Sequence, residues 1–238
     1  MRLERRFYTA AGAIFLVLTV IGFRHYIFEG RHFDSSPIDP SMLATVVAHS
    51  SAIFAWYVLF FVQALLISTQ NRRLHMKLGW SVLVIASAIA VTGPLVIVRS
   101  IHVAPDAVVF DWPGPQFLLI AWTEIALFVA FVAAGVLNRK RPRIHRTMML
   151  MASLAILSGA TGRIPLVNAT FGFHTWMALF GPPVALGALL LLVRLAMTRT
   201  VDREFAAGYA ALVVVTIVAA RLAVTNMWVN LAGTILKL

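Results

Sequence analysis

The chain contains no cysteine among its 238 residues. Disulfides, thiolate-bound metals and cysteine nucleophiles are therefore excluded. Charged residues are also scarce, at 12% of the chain, whereas an average soluble domain has about 25%. The sequence has no glycine-rich phosphate loop and no HxxxH or HExxH pair, so the simplest nucleotide and zinc sites are missing. It thus lacks the motifs that identify most soluble enzymes.

Apolar residues are abundant instead, at 61% of the chain, and the mean hydropathy is +0.88. Runs of about 20 apolar residues match the roughly 30 Å hydrocarbon core of a bilayer. In lipid each backbone group must find its partner within its own segment, which favours helices. We predict an all-α membrane protein with seven transmembrane helices in a single polytopic domain, residues 1–238. The predicted spans are 7–24, 43–68, 78–98, 116–137, 147–168, 175–197 and 206–232.

The net charge of +11 is distributed in alternate connections between the spans. Four clusters hold most of the Lys and Arg: Arg2, Arg5 and Arg6; Arg72, Arg73 and Lys77; Arg139, Lys140, Arg141, Arg143 and Arg146; Arg194, Arg199 and Arg203. The intervening segments carry acidic residues instead. The positive-inside rule therefore predicts a cytoplasmic N-terminus and an outside C-terminus. We expect these cations to contact the lipid bilayer. We expect no nucleic-acid partner.

Two segments in the middle of the chain resemble each other, at 74–96 and 144–167. Each has a histidine as its second residue and continues as a long apolar run. The first ends with Thr-Gly-Pro-Leu-Val, and the second ends with Thr-Gly-Arg-Ile-Pro-Leu-Val. The match favours a two-hairpin internal repeat, in which spans 2 and 3 correspond to spans 4 and 5. Shared membrane constraints are the alternative explanation.

The stretches HSSAIFAWYVLFFVQALL (49–66), LHMKLGW (74–80) and IHRTMMLMASLAILSGATGRIP (144–165) carry a family resemblance. Together they resemble a family of uncharacterised bacterial polytopic integral membrane proteins. This resemblance covers about half of the chain and implies a multi-pass location in the bacterial inner membrane, with no activity attached. A looser analogy, resting on histidines near helix ends, is to four-helix membrane b-type cytochromes and oxidase-assembly membrane proteins.

His75 and His145 occupy matching positions in the two repeat halves. A pseudo-twofold arrangement would bring both imidazoles to one iron, so we consider haem b, with these two side chains as its axial ligands. Their neighbours are strongly basic. The alternative is a pair of interfacial histidines that contact lipid headgroups.

Polar residues within the apolar spans suggest a second site. Trp56 and Gln63 follow His49 at intervals of seven residues, on one face of the second span. Glu124 lies roughly 12 Å into the fourth span, where an ionised carboxylate needs a proton or a partner. Arg163 or Arg221 is expected to pair with it. The predicted outward-facing pocket is lined by His49, Trp56, Trp122, Glu124, Arg163 and Arg221, with His102 and His174 near its mouth.

Simpler explanations exist for the same residues. His49 is also explained as an interfacial histidine bonded to Ser50, a backbone carbonyl or water. Glu124 and an arginine could form an ion pair that only joins helices, or the arginines could reach lipid headgroups. Gly181, Pro182 and Pro183 interrupt the sixth span, and their missing amide hydrogens predict a bend there.

Three functions therefore remain open, and the residues do not decide whether the chain is an enzyme. The first is an outward-facing polar pocket that binds or moves a small anionic or amphiphilic ligand. The second is a haem-binding membrane redox protein that uses the paired histidines. The third is a non-enzymatic accessory or assembly subunit, docked on a membrane-protein partner or on further copies of itself.

Overall fold

The computed structural model describes residues 2–31, 37–172 and 175–237, and it is all-α apart from one small hairpin. Within these residues, six helices are long and apolar enough to cross a membrane, or seven if one sharply bent pair counts as a span. The helices are α1 Arg2–Gly22, α2 Leu43–Ser68, α3 Arg72–Leu78, α4 Ser81–Val103, α5 Gly114–Leu137, α6 Pro142–Ala155, α7 Ser158–Thr161, α8 Pro165–Phe171, α9 Thr175–Thr198, α10 Arg203–Ala223 and α11 Asn226–Ile235. A π-helical segment, His25–Glu29, follows α1.

These helices make the chain a multi-pass membrane protein by their length and composition. The predicted second span, 43–68, coincides with α2, and the predicted first, fourth and sixth spans overlap α1, α5 and α9 closely. The predicted orientation, the internal repeat and the single domain remain predictions. The hairpin consists of β1 Val108–Val109 and β2 Trp112–Pro113, paired antiparallel in the connection between α4 and α5.

The predicted fifth span is a broken helix, made of α6, α7 and α8. Between the α6–α7 segment and α8 the chain bends by 100°. Pro165 opens α8 and lacks the amide hydrogen that would continue the preceding helix, and Ile164 before it takes an extended conformation. Gly162 ends α7 beneath the hairpin, where an added Cβ would lie 2.7 Å from the Phe110 ring. The break is therefore specified by glycine and proline.

This broken helix lies at the centre of the bundle. Every residue from 149 to 158 is buried, and α6 contacts α2, α5, α9 and α10. A helix that is enclosed on all sides must satisfy its own polar groups. Accordingly, the Ser153 hydroxyl donates to the Met149 carbonyl at 3.1 Å. The main apolar core forms around this central helix.

The sixth and seventh spans differ from the prediction in opposite ways. The helix does not end at Gly181 to Pro183, because α9 runs through Pro182 and Pro183 as one helix, and the bend predicted there remains a prediction. The predicted span 206–232 consists instead of α10 and the shorter α11. Thr225 separates these two helices, and its side chain accepts a hydrogen bond from the Trp228 amide at 3.3 Å, as an N-cap residue does.

One end of the bundle, here called the basic end, is where α1, α6 and α10 begin and α9 ends. A network of ion pairs joins these helices. Arg194 donates to Asp202 at 2.5 Å and to Glu4 at 3.0 Å, and Arg146 donates to Glu4 at 2.5 Å. Arg194 and Asp202 are each only 3% exposed. The distribution of these arginines predicted only an orientation, but Arg143, Arg146 and Arg194 also pair with acidic side chains of other helices.

Candidate functional site

The opposite end, here called the loop end, contains the connections between α1 and α2 and between α4 and α5. A cavity of about 260 Å³ lies there, bordered by these connections and by α2, α4, α5, α7 and α9. Most of its wall is apolar. His49, Glu124 and Arg163 are exceptions, and all three line the cavity. The structure thus brings together three residues of the predicted pocket from three different helical segments.

Glu124 lies on α5 and reaches the cavity beside the central helix. Its carboxylate accepts a hydrogen bond from the Ser158 hydroxyl at the start of α7. No salt bridge within 4 Å joins Glu124 to a basic side chain in the described part of the protein. The predicted ion pair with Arg163 or Arg221 is therefore not formed. A serine takes the place that the prediction gave to an arginine.

His49 lies on α2, and its ring is held by α4. Its Nδ1 is 3.0 Å from the Thr92 hydroxyl oxygen, and that hydroxyl donates its only hydrogen to the Ala88 carbonyl at 2.6 Å. Thr92 can therefore only accept, so the His49 Nδ1 carries the hydrogen of this bond. The neutral ring then keeps a lone pair on Nε2. Ser50, which offered a simpler explanation of His49, donates instead to the Val46 carbonyl.

Arg163 lies in the break between α7 and α8. Its Nη1 donates to the Gly159 carbonyl of the preceding turn. The guanidinium carbon lies 5.0 Å from the centre of the Phe23 ring and 5.4 Å from that of Tyr26, which is cation–π geometry. Among the described residues, no acidic side chain lies within salt-bridge distance of Arg163. Within the described ranges, its charge is held by a carbonyl and two aromatic faces, without a counter-ion.

Trp56 and Trp122 do not line this cavity. The Trp56 indole donates to the Ser153 hydroxyl at 3.1 Å and meets the Phe128 ring edge-on, with centroids 4.6 Å apart. Trp56 is 2% exposed and belongs to the central core. The Trp122 indole nitrogen is buried without a hydrogen-bond partner among the described residues.

The remaining members of the predicted pocket lie elsewhere. Arg221, near the end of α10, lines a separate cavity of about 410 Å³ together with Trp112 and Trp176. His102 is exposed at the end of α4, and its Nε2 lies 2.8 Å from the Leu236 carbonyl oxygen. His174 lies outside the described residues. The eight predicted residues therefore do not form one site.

At the basic end, the structure brings His75 and His145 together. Their ring centroids are 6.5 Å apart, and their planes are nearly perpendicular at 84°. The Nδ1 of His145 donates to the Gly135 carbonyl at 2.9 Å. The Gln63 amide, in the orientation that satisfies its neighbours, donates to the Nδ1 of His75 at 2.5 Å and accepts from the Gly79 amide at 3.1 Å. Gln63 thus belongs to this pair, whereas His49, on the same face of α2, belongs to the cavity.

Sequence reasoning missed two residues that complete the sites. Ser158 and Thr92 each orient an ionisable side chain, but as small polar residues in apolar helices they are also common at packing contacts. The spacing of His49, Trp56 and Gln63 correctly indicated one inward face of α2. It could not show that the three would contact different neighbours at successive depths.

No group of three or more His, Cys, Asp or Glu side chains is arranged to hold a metal ion within the described ranges. No protein-family model, no curated protein and no solved structure matches the chain. The function is therefore argued from the two sites themselves.

Proposed function

We propose that the loop-end cavity binds a small amphiphilic molecule through an anionic head group. The observation that supports this most directly is Arg163, a guanidinium in an otherwise apolar cavity wall with no acidic partner among the described residues. A charge at this depth normally has a counter-ion, and intramembrane ionisable residues without one are functional candidates. A carboxylate, sulfate or phosphate group on a ligand would supply it.

The rest of the wall suits the apolar part of such a ligand. The cavity of about 260 Å³ is near the lower end of small-molecule sites, which are usually about 300–1,000 Å³. Phe23, just after α1, contributes apolar surface together with Ile53 of α2 and Phe117 of α5. A short alkyl chain or a single aromatic ring fits this volume better than a full lipid.

Glu124 and His49 give the cavity a means of adjusting its charge. The carboxyl of Glu124 has one oxygen bonded by Ser158, and it can hold or release a proton as the charge of the ligand changes. The Nε2 of His49 offers a lone pair to a hydroxyl or acid proton. Arg163 would hold the anion, while these two groups exchange a proton with it.

The cavity borders the connections that are predicted to lie outside the membrane. Ala104, Ala107 and Val109 of the α4–α5 connection form part of its rim. If the predicted orientation holds, a ligand enters from the outer face or from the outer leaflet. We therefore propose that the protein acts as an outward-facing binding protein in the membrane.

Thermal unfolding of the detergent-purified protein with decanoate tests this proposal, with decanol as the uncharged analogue of equal chain length. We expect decanoate to raise the melting temperature more than decanol does. Arg163→Ala should abolish this difference. Arg221→Ala is the matched control, because it removes an arginine from the other cavity and should leave the difference intact. Equal shifts for decanoate in the parent and in Arg163→Ala would overturn the proposal.

A further inference from the structure

We infer that α11 is a strap across the rim of the loop-end cavity, and that the charged, imidazolium form of His102 fastens it. The rim segment is the connection 104–113 between α4 and α5, which contributes to the cavity wall. When the ring loses its proton the strap is released and the cavity opens more readily. This inference concerns access to the cavity and therefore rests on the function proposed above.

The strap is bonded at both ends of the rim segment. Near the start of α11, the Trp228 indole donates to the Pro115 carbonyl at 2.8 Å, in the first turn of α5. Just after α11, the Leu236 carbonyl oxygen lies 2.8 Å from the Nε2 of His102, in the last turn of α4. The strap thus ties the end of α4 to the start of α5.

The two hydrogen bonds of His102 require a hydrogen on each ring nitrogen. Its Nδ1 lies 2.8 Å from the Val98 carbonyl oxygen, and its Nε2 lies 2.8 Å from the Leu236 carbonyl oxygen. A carbonyl oxygen only accepts, and a neutral imidazole has a single N–H. Only the imidazolium can make both bonds. A neutral ring keeps one bond and turns a lone pair towards the other oxygen.

The position of the ring also suits a positive charge. His102 lies in the last turn of α4, and Leu236 is the C-cap residue of α11. The carbonyls at a helix C-terminus carry partial negative charge and commonly accept hydrogen bonds from basic side chains. The C-terminal ends of two helices therefore meet at one imidazole.

His102 is the group that can change its charge here near neutral pH. The charged residues closest along the elements that meet at this point are Arg99 of α4, Asp106 of the rim segment, Arg221 of α10 and Lys237 after α11. Side chains of these types ordinarily keep their charge between about pH 5 and 8, whereas histidine does not. No salt bridge joins His102 to an acid in the described part of the chain.

The rim segment links the strap to the arginine of the cavity. Its hairpin turns at Phe110, whose φ of 50° lies in the left-handed region. A phenylalanine keeps this conformation only where its surroundings hold it. The Phe110 ring packs beside Gly162, which precedes Arg163. Releasing one end of the strap should therefore let the rim segment relax and move away from Arg163.

The first test measures the strap without any ligand. Because the chain has no cysteine, Asn230→Cys on the exposed side of α11 can carry a single nitroxide. We expect the mobile fraction of its EPR spectrum to rise about tenfold from about pH 5.5 to about pH 8, as a hydrogen bond to a charged group is lost. An equal spectrum at both pH values would overturn the inference.

Three further variants show whether His102 causes this change. His102→Leu should give the mobile spectrum at both pH values. His102→Arg, which has several donors and a permanent charge, should give the immobile spectrum at both. His25→Leu is the control, because it removes another loop-end histidine and should leave the pH response intact. A pH response that survives in His102→Leu would assign the change to another group.

The second test measures access to the cavity. Ser50→Cys places a thiol in the cavity wall, and its labelling rate with a thiosulfonate reagent reports access without decanoate. Compared at the same pH, His102→Leu should label about tenfold faster than its parent at about pH 5.5 and equally fast at about pH 8. Equal rates at both pH values would overturn the gate. Failure of the decanoate experiment alone would instead remove the ligand, so the two failures are distinguishable.

Discussion

Two acids, the buried Asp202 at the basic end and the half-buried Glu124 at the loop end, are held in different ways. At the basic end, Asp202 lies 2.5 Å from Arg194, and its other oxygen accepts from the Phe205 amide at the start of α10. At the loop end, Glu124 accepts from the Ser158 hydroxyl, and the nearby Arg163 is held by a carbonyl and aromatic rings. In the first arrangement both carboxylate oxygens have partners, and the ion pairs join helices. In the second, no salt bridge among the described residues pairs the acid or the arginine at the cavity.

This difference separates a structural use of charge from a binding use. A buried charge that already has its counter-ion and its hydrogen bonds offers a ligand little. An unpaired charge in a cavity wall lacks a favourable partner until a ligand of opposite charge binds. The new ion pair then contributes to the free energy of binding. Arginine and acidic residues alone therefore do not mark a site; their lack of partners does.

Removing Arg194 should have the largest effect. Arg194→Ala removes the 2.5 Å ion pair of the buried Asp202, leaving only Arg143 at 3.9 Å, and also removes one of two partners from Glu4. Breaking a buried pair costs about 3–5 kcal/mol. We expect a large fall in the unfolding free energy, measured by denaturant titration in detergent. Arg199→Ala is the control, because Arg199 is exposed at the same end and should change stability little. Equal effects of the two variants would show that the network does not hold the helices.

Removing the partner of Glu124 should have a smaller effect. Ser158→Ala deletes one hydrogen bond, worth about 0.5–1.5 kcal/mol, and the carboxyl can turn to water or ligand in the cavity. We expect a small fall in stability together with a changed pH dependence of decanoate binding. A loss of stability as large as that of Arg194→Ala would remove the contrast between the two ends.

The pH dependence of stability should be the smallest effect, and it should come from the basic end. Burial alone would raise the pKa of the Asp202 carboxyl, but the hydrogen bonds from Arg194 and the Phe205 amide outweigh it and lower that pKa below its usual value. An acid with a lowered folded-state pKa stabilises the protein above its unfolded pKa of about 3.9. This stabilisation should decrease as the pH falls through 3.9 towards the lower folded value.

Melting temperatures between pH 6 and pH 3 measure this decrease. Arg143, 3.9 Å from Asp202, keeps its charge throughout this range and so does not produce the change. Asp202→Asn should flatten the profile, whereas Asp106→Asn, which changes an exposed acid in the α4–α5 connection, should not. A profile unchanged by Asp202→Asn would assign the acid sensitivity to another group.

The membrane class and part of the cavity could be predicted from local features. Apolar runs of sufficient length predicted the spans, because the width of the bilayer sets that length. The cost of charge in lipid indicated that Glu124 and Arg163 lie inside the bundle, and both line the cavity. The same argument placed Arg221 and Trp56 there as well, but depth along a helix says nothing about which neighbour a side chain meets.

The helix breaks were harder to predict than the spans. Pro182 and Pro183 lie within a continuous helix, whereas Gly162 and Pro165 mark a 100° bend. Both segments contain glycine and proline, so the local signal is similar. The outcome depends on surroundings: the Phe110 ring occupies the space beside Gly162, and Arg163 turns back onto the Gly159 carbonyl.

The amino-acid sequence by itself determined that most of this polypeptide resides in a bilayer as helices, because hydrophobicity and length act locally along the chain. It also determined which polar residues would need partners there. Only the tertiary structure decided who those partners are: Ser158 for Glu124, Thr92 for His49, Asp202 for Arg194, and His145 beside His75. Three of these four pairings join residues more than 30 positions apart in the chain, so they depend on how each helix is rotated and where it breaks.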